Sequence, residues 1–262
     1  MYGDGIHTLD RFDQTIEEAR ERNREGYNAS ADRPPSVAFH GETVLSLNCV
    51  HVGEVARTTD AACHRIDPES VRLFLSTKCA PVIGYHARKA GRYPACPDAA
   101  ARGPNGSIDN REAFWRTVFG NRCVSEASDG SKRHPTQQDM ENLKTFVFFP
   151  HDDLPGSIRD QLLSDMGCHI FNRRFFITRD NLVGFGPSNM EPGDDVWIPG
   201  GSKVPFVFRP LDGPGPEEMG YSVSDSGLHP ARRWRTVVGD CYVHGVMEGE
   251  TAGMPEFVLF LK

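Results

Sequence analysis

Short apolar runs separated by turn residues dominate the last third of the chain. Arg174-Phe175-Phe176-Ile177-Thr178 leads through Arg179-Asp180-Asn181 into Leu182-Val183-Gly184-Phe185. Asp195-Val196-Trp197-Ile198 follows the turn Pro192-Gly193-Asp194, and Val204 to Leu211 follows Pro199-Gly200-Gly201-Ser202. A final run, Trp234 to His244, comes after a long polar loop. Runs of this length, closed by glycine, proline and asparagine, predict a small antiparallel all-β module, a barrel or a sandwich, over residues 173–250. Val183, Phe185, Val196, Ile198, Phe206, Phe208, Val237 and Tyr242 are the expected interior, and residues 251–262 a tail or last strand.

Upstream, the pattern predicts a different kind of structure. Residues 8–25 read as a charged surface helix with one thin stripe, Leu9, Phe12, Ile16 and Ala19, followed by a linker, so 1–35 form a separate segment. Ser36 to Phe39 and Thr43 to Val52 read as two strands around His40-Gly41-Glu42. Asp67-Pro68-Glu69-Ser70 is a helix start with proline just inside the cap. Residues 87–111 read as a loop, and 112–122 as an amphipathic helix with Phe114, Trp115, Val118 and Phe119 on one face. Asn142 to Phe149 fits either helix or strand. A helix capped by Ser157 runs to about Phe171, with Ile158, Leu162, Met166 and Ile170 four residues apart. The fold class expected is therefore α+β: a mainly helical region over 36–172, followed by the barrel.

Composition narrows the functional classes. The chain has 262 residues, net charge −7 and 25% charged residues, which disfavours non-specific nucleic-acid binding. No run of 18 apolar residues is present, so no membrane span is expected. Met1 to Gly5 has no basic start and no apolar stretch, so a cytoplasmic location is the expectation. Seven cysteines are scattered without Cys-x-x-Cys spacing and read as small buried hydrophobes or free surface thiols.

Residues that could carry chemistry are few and scattered. Cys63-His64 and Cys168-His169 are neighbours whose side chains diverge. In a strand, Cys241 and His244 differ by three positions and face opposite sides, which disfavours joint metal coordination. A Cys241/His244 thiol hydrolase is the enzymatic alternative; no Gly-x-Ser-x-Gly elbow exists. Pro187 after Gly184-Phe185-Gly186, and Pro205 after Gly200-Gly201-Ser202-Lys203, make both glycine runs hairpin turns rather than phosphate loops. No catalytic, cofactor-binding or metal residue is assigned, and no cofactor is expected. The cluster Arg232, Arg233 and Arg235 is either a solvated loop or a docking patch for an acidic protein partner.

The ordered motifs carry a resemblance. Phe114-Trp115-Arg116-Thr117 comes first, then Arg173 to Thr178, Leu182 to Pro187 and Pro192 to Trp197. Gly200-Gly201, Val204 to Pro210, Trp234 to Val238, Gly239 to Met247 and Glu248-Gly249-Glu250 complete the series. This series resembles the C-terminal region of fungal heterokaryon incompatibility proteins, and Val44–Val55 is similar to a strand ahead of their helical middle. The resemblance implies a non-enzymatic regulatory or recognition region acting in allorecognition and programmed cell death. Residues 1–35 lack the signature of those proteins' N-terminal domain, which implies a truncated member. It implies no catalytic or ligand residues here. A non-functional remnant is the other alternative.

Overall fold

The computed structural model describes residues 18, 20, 21, 24, 26–83, 110–124, 131–149, 154–221 and 233–262. The expected loop over 87–111 lies almost wholly outside them, as does most of the 8–25 helix, of which 18, 20, 21 and 24 are helical.

The organising element is a strand of the region expected to be mainly helical. Strand β2 (Val44–Thr58) is 15 residues long and follows β1 (Val37–His40) in an antiparallel hairpin. Between them and the C-terminal strands lie two-residue strands β3 (Cys123–Val124) and β4 (Lys132–Arg133), paired with each other. Then come β5 (Arg173–Thr178), β6 (Val183–Pro187), β7 (Asp195–Pro199), β8 (Phe206–Pro210), β9 (Arg235–Asp240), β10 (Tyr242–Val243) and β11 (Glu256–Leu261). The main sheet has nine strands, ordered β10-β6-β5-β2-β11-β9-β8-β7, with β1 on β2. A further pairing joins β7 to β2, so β2, β11, β9, β8 and β7 form a ring of hydrogen-bonded neighbours. The sheet thus draws on residues on both sides of the 173–250 segment.

The long strand serves two neighbours on each side by changing partners along its length. Leu45–Val50 pair with β11 and Val55–Thr58 with β5, while Val44–Leu47 pair with β1 and Cys49–Glu54 with β7. The register shifts between His51 and Gly53, and again between Val55 and Arg57, which bends the strand as a bulge does.

Alternation along these strands separates two cores. Cys49, Trp197, Phe208, Leu259 and Leu261 form one buried cluster, with Leu45, Leu47, Phe206 and Phe257 against it. All lie on ring strands at every second position, so this cluster fills the ring. The opposite faces, including Val50, Val52, Val196, Ile198 and Val207, belong to a larger cluster shared with the helices. This corrects the expected interior. Phe208 points into the ring and Phe206 is only partly buried, whereas Val183, Phe185, Val196 and Ile198 pack in the larger cluster. Tyr242 joins a small cluster with Tyr27, Val204 and Met247, and Val237 is 51% exposed. Burial of strand β7 on both faces erases the polar/apolar alternation that would have told them apart.

Four helices cover the larger cluster. Helix α1 (Pro68–Leu73) starts as expected, Asp67 accepting from Ser70 N at 2.9 Å, and continues as a π-helical turn through Cys79. Helix α2 (Asn110–Val118) buries Phe114, Trp115 and Val118; the Phe114 ring meets Phe175 edge-on at 5.4 Å. The segment Asn142–Phe149, open between helix and strand, is the end of helix α3 (Gln137–Phe148). Its start is a capping box: Thr136 accepts from Asp139 N, and Asp139 accepts from Thr136 N at 2.7 Å. Helix α4 (Gly156–Ile170) buries Leu162, Met166 and Ile170 at the expected spacing, although Pro155 rather than Ser157 occupies its cap position. One close approach fixes the seam between β10 and β6. A Cβ on Gly184 would stand 2.2 Å from Tyr242 O and 2.7 Å from Phe176 Cε1, so only glycine fits.

Candidate functional site

A polar layer lies at one end of the ring. Asp195, at the start of β7, and Arg235, at the start of β9, are 4% and 1% exposed. Arg235 donates from Nε at 3.1 Å and Nη2 at 2.7 Å to Asp195 Oδ2, and from Nη1 to Arg233 O at 2.9 Å. Its guanidinium lies 5.3 Å from the centre of the buried Trp197 ring. His51 on β2 approaches Asp195 Oδ1 at 3.7 Å and tilts against Trp197 at 4.5 Å. Burial alone would push the Asp195 carboxyl up; the His51 and Arg235 interactions outweigh it and hold the group below the ordinary carboxylate range. The layer therefore joins β2, β7 and β9 through one shared charge.

This placement corrects the basic patch. Arg235 is an interior cation rather than a surface one, because Asp195 40 residues upstream neutralises it across the ring. Arg233 is exposed, and Arg232 lies outside the described residues. The described part of the cluster thus holds one surface cation, Arg233, and one interior cation, Arg235.

A second concentration of chemistry-bearing groups lines a small cleft between the end of α4 and the junction of β9 with β10. It brings together Cys168, His169, Arg173, Asp240, Cys241 and Tyr242 around a cavity of about 30 Å³. Arg173 donates to Asp240 Oδ2 at 2.8 Å, and Arg24 reaches Asp240 Oδ1 at 3.1 Å. Arg20 donates to Cys168 O at 3.0 Å and to Phe171 O, capping the carbonyl end of α4.

A thiol, an imidazole and a carboxylate are neighbours here, but their ionisation runs against nucleophilic catalysis. Burial pushes the Cys241 thiol well up, and Asp240 adds to that, although Arg173 opposes it. Burial, then Arg173 and other cations, lower His169 to about 3, so it is a neutral ring at physiological pH. Asp240 is occupied by its arginines. A general base needs a pKa near the working pH and a thiolate must be accessible, and the shifts of His169 and Cys241 run against both. His169 is also held sterically: a Cβ on Gly120, where φ is +59°, would lie 2.2 Å from its Cε1.

Cys241 packs in the larger core, while His244 Nδ1 lies 3.1 Å from Tyr242 Oη and the His244 backbone N–H donates to Val183 O. Burial lowers His244 to about 3, with Arg116 contributing. Cys49, inside the ring, is pushed up to about 12 by burial. Sequence reasoning missed the Asp195–Arg235 pair altogether. The available signal was Asp194-Asp195 opening an apolar run and Arg235 opening another, at corresponding ends of two strands.

Among the described residues no group of three or more His, Cys, Asp or Glu is placed to hold a metal ion, and no helix is long and apolar enough to cross a membrane.

Comparison with known proteins adds an independent line. Residues 161–260 match the family model of the Het-6 β-barrel domain. Over 105 residues the chain is 29% identical to heterokaryon incompatibility protein 6, OR allele, of Neurospora crassa. That similarity covers 38% of this chain and 13% of the relative, so the chain corresponds to a small part of that protein's length. No solved structure gives a significant match. The matched segment takes in β5 to β11 and most of α4, and through it the chain is similar to heterokaryon-incompatibility-type proteins in their Het-6 β-barrel domain.

Proposed function

We propose that this chain is a non-enzymatic recognition region of a heterokaryon-incompatibility-type protein, acting in the cytoplasm in allorecognition and the cell death that follows it. In this reading the five-stranded ring is a closed barrel, and a protein partner docks on its outer surface. The observation that carries the reading is the Het-6 β-barrel domain match over residues 161–260, the segment that supplies four of the five ring strands. Two physical features support it. The ring interior is filled by Trp197, Phe208 and Leu259, leaving its chemistry to the surface. The thiols of Cys49, Cys63, Cys79, Cys123 and Cys241 are all buried and pushed up by that burial, which disfavours a thiolate at neutral pH. The test is heterokaryon growth: strains expressing the chain are fused with strains that lack it. Growth arrest or death confined to mixed heterokaryons is the expected result. Normal growth of every combination would overturn the reading.

A second reading, a cysteine-dependent hydrolase, is favoured by one observation: Cys168, His169, Asp240 and Cys241 line one cleft. Iodoacetamide at neutral pH separates the two. In a recognition module Cys168 and Cys241 label slowly and only on unfolding, whereas a hydrolase labels one of the two fast in the native state.

A further inference from the structure

Strand β1 has one strand neighbour among the described residues, β2, and no other described strand pairs with its outer edge. The backbone arithmetic of that edge is fixed by one bond. Asn48 N–H donates to Ser36 O at 3.1 Å, so Ser36 and Asn48 are a hydrogen-bonded pair. In an antiparallel ladder such pairs alternate with non-bonded ones. The register pairs Val37 with Leu47, Ala38 with Ser46 and Phe39 with Leu45. Ala38 therefore bonds toward β2, while the N–H and C=O of Val37 and of Phe39 point outward.

The side chains at the same two positions are unusually bare. Phe39 is 79% exposed and Val37 51% exposed. They share one face, and no charged residue stands between Arg33 and Glu42. Natural edge strands are protected by charge, bulges or cover. Apart from its shortness and the two prolines before it, none of those devices is present among the described residues.

We infer that β1 pairs antiparallel with β1 of a second copy of this chain, about a twofold axis at Ala38. Only this register uses all the outward backbone groups. Val37 of one copy exchanges two hydrogen bonds with Phe39 of the other, and the symmetry repeats the exchange. The same register sets Val37 beside Phe39 on one face at both pairs, the β-branched–aromatic combination that stabilises sheets. Ala38, the smallest side chain of the strand, falls on the axis, where the two chains come closest. Backbone and side-chain complementarity therefore select one register, and an isologous contact closes at two copies.

The buried area sets the strength. Two phenylalanine and two valine side chains supply a few hundred Å², an aromatic side chain burying about 150–250 Å². A stable interface needs roughly 1,200 Å² or more. The pairing is therefore a weak, reversible, concentration-dependent dimer. The inference goes beyond the recognition reading and does not depend on it.

Sedimentation of the full chain over a wide concentration range tests it. The expected result is a monomer at low concentration and a dimer fraction that rises with concentration. Phe39→Asp and Val37→Pro should each remove the dimer while leaving thermal unfolding unchanged, because the Val37 N–H takes no part in the β1–β2 ladder. Ala38→Cys should form a disulfide-linked dimer under mild oxidation, since the Cα atoms of that non-bonded pair would lie about 4.5 Å apart. Ser36→Cys, two residues off the axis, should not. A chain monomeric at every concentration whose Ala38→Cys variant fails to cross-link would overturn the inference. So would a dimer that persists in Phe39→Asp, which would place the interface elsewhere. Failure here leaves heterokaryon growth unaffected, so the two readings fail separately.

Discussion

Replacing Arg235 by methionine removes a cation that is 1% exposed and holds one carboxylate through two hydrogen bonds of 3.1 and 2.7 Å. The methionine keeps much of the volume, so packing loss is small. What remains is Asp195, 4% exposed, with His51 at 3.7 Å as its nearest remaining charge partner. Breaking a buried pair by removing one partner costs about 3–5 kcal/mol, because a charge is left in a low-dielectric site. In a chain of this size that lowers the melting temperature by roughly 6–20 °C. Replacing both partners, Arg235→Met with Asp195→Leu, removes the uncompensated charge and should recover most of the loss. The assay is urea unfolding followed by tryptophan fluorescence, with Trp197 lying against the guanidinium. The four proteins form a cycle whose coupling should be at least about 2 kcal/mol. If Arg235→Met costs under about 1 kcal/mol, or if the two single losses add, then Arg235 behaves as an exposed residue and the polar layer is misplaced.

Other expectations follow from the same packing. His169 and His244 are neutral in the folded chain with pKa values lowered to about 3, while in the unfolded chain they take up a proton below about 6.5. Their contribution to stability is complete above pH 6.5 and falls as pH drops toward 3, by up to about 1.4 kcal/mol per pH unit for each ring. His244→Gln should roughly halve that slope; stability independent of pH between 6.5 and 4.5 would contradict it. Asp195 and Asp240, both held below the ordinary carboxylate range against the opposing effect of burial, add a further loss below about pH 4. Gly184→Ala should cost about 1–3 kcal/mol in urea unfolding, since the new Cβ meets the Tyr242 carbonyl. In the same assay Phe208→Ala, inside the ring, should cost about 3–5 kcal/mol, and Val237→Thr, half-exposed, no more than about 0.5 kcal/mol. The reverse order would restore Val237 to the interior.

Much of this architecture is legible in the sequence, element by element. The strands at 173–178, 183–187, 195–199 and 206–210 lie where apolar runs and turn residues put them, and the Val37–His40 hairpin is announced by His40-Gly41-Glu42. Assembly is less legible. Strand β2 reads as an ordinary strand ahead of a helical region; its role in closing the ring depends on pairings with residues 140 and more positions away, which no local pattern encodes. The division between ring interior and helical core is hidden because strands buried on both faces show no alternation. Arg235 sits among other arginines in a polar stretch, so its sequence context suggests solvent. Only the partner across the ring explains its burial. The candidate chemistry at Cys168-His169 and Asp240-Cys241 is visible as two adjacent pairs, but their gathering in one cleft, and the burial that silences the thiol and imidazole, are properties of the fold.

The feature on which the rest depends is that the strand at 44–58 closes a ring with four C-terminal strands. Long-range backbone NOEs between assigned residues measure this directly. Contacts should connect Leu45–Val50 with Glu256–Leu261, and Cys49–Glu54 with Asp195–Pro199, in the registers Leu47 to Leu259 and Val50 to Ile198. A spectrum in which residues 44–58 show intact hairpin contacts to β1 but none to 195–199 or 256–261 would contradict the ring, and with it the placement of every residue assigned to its interior.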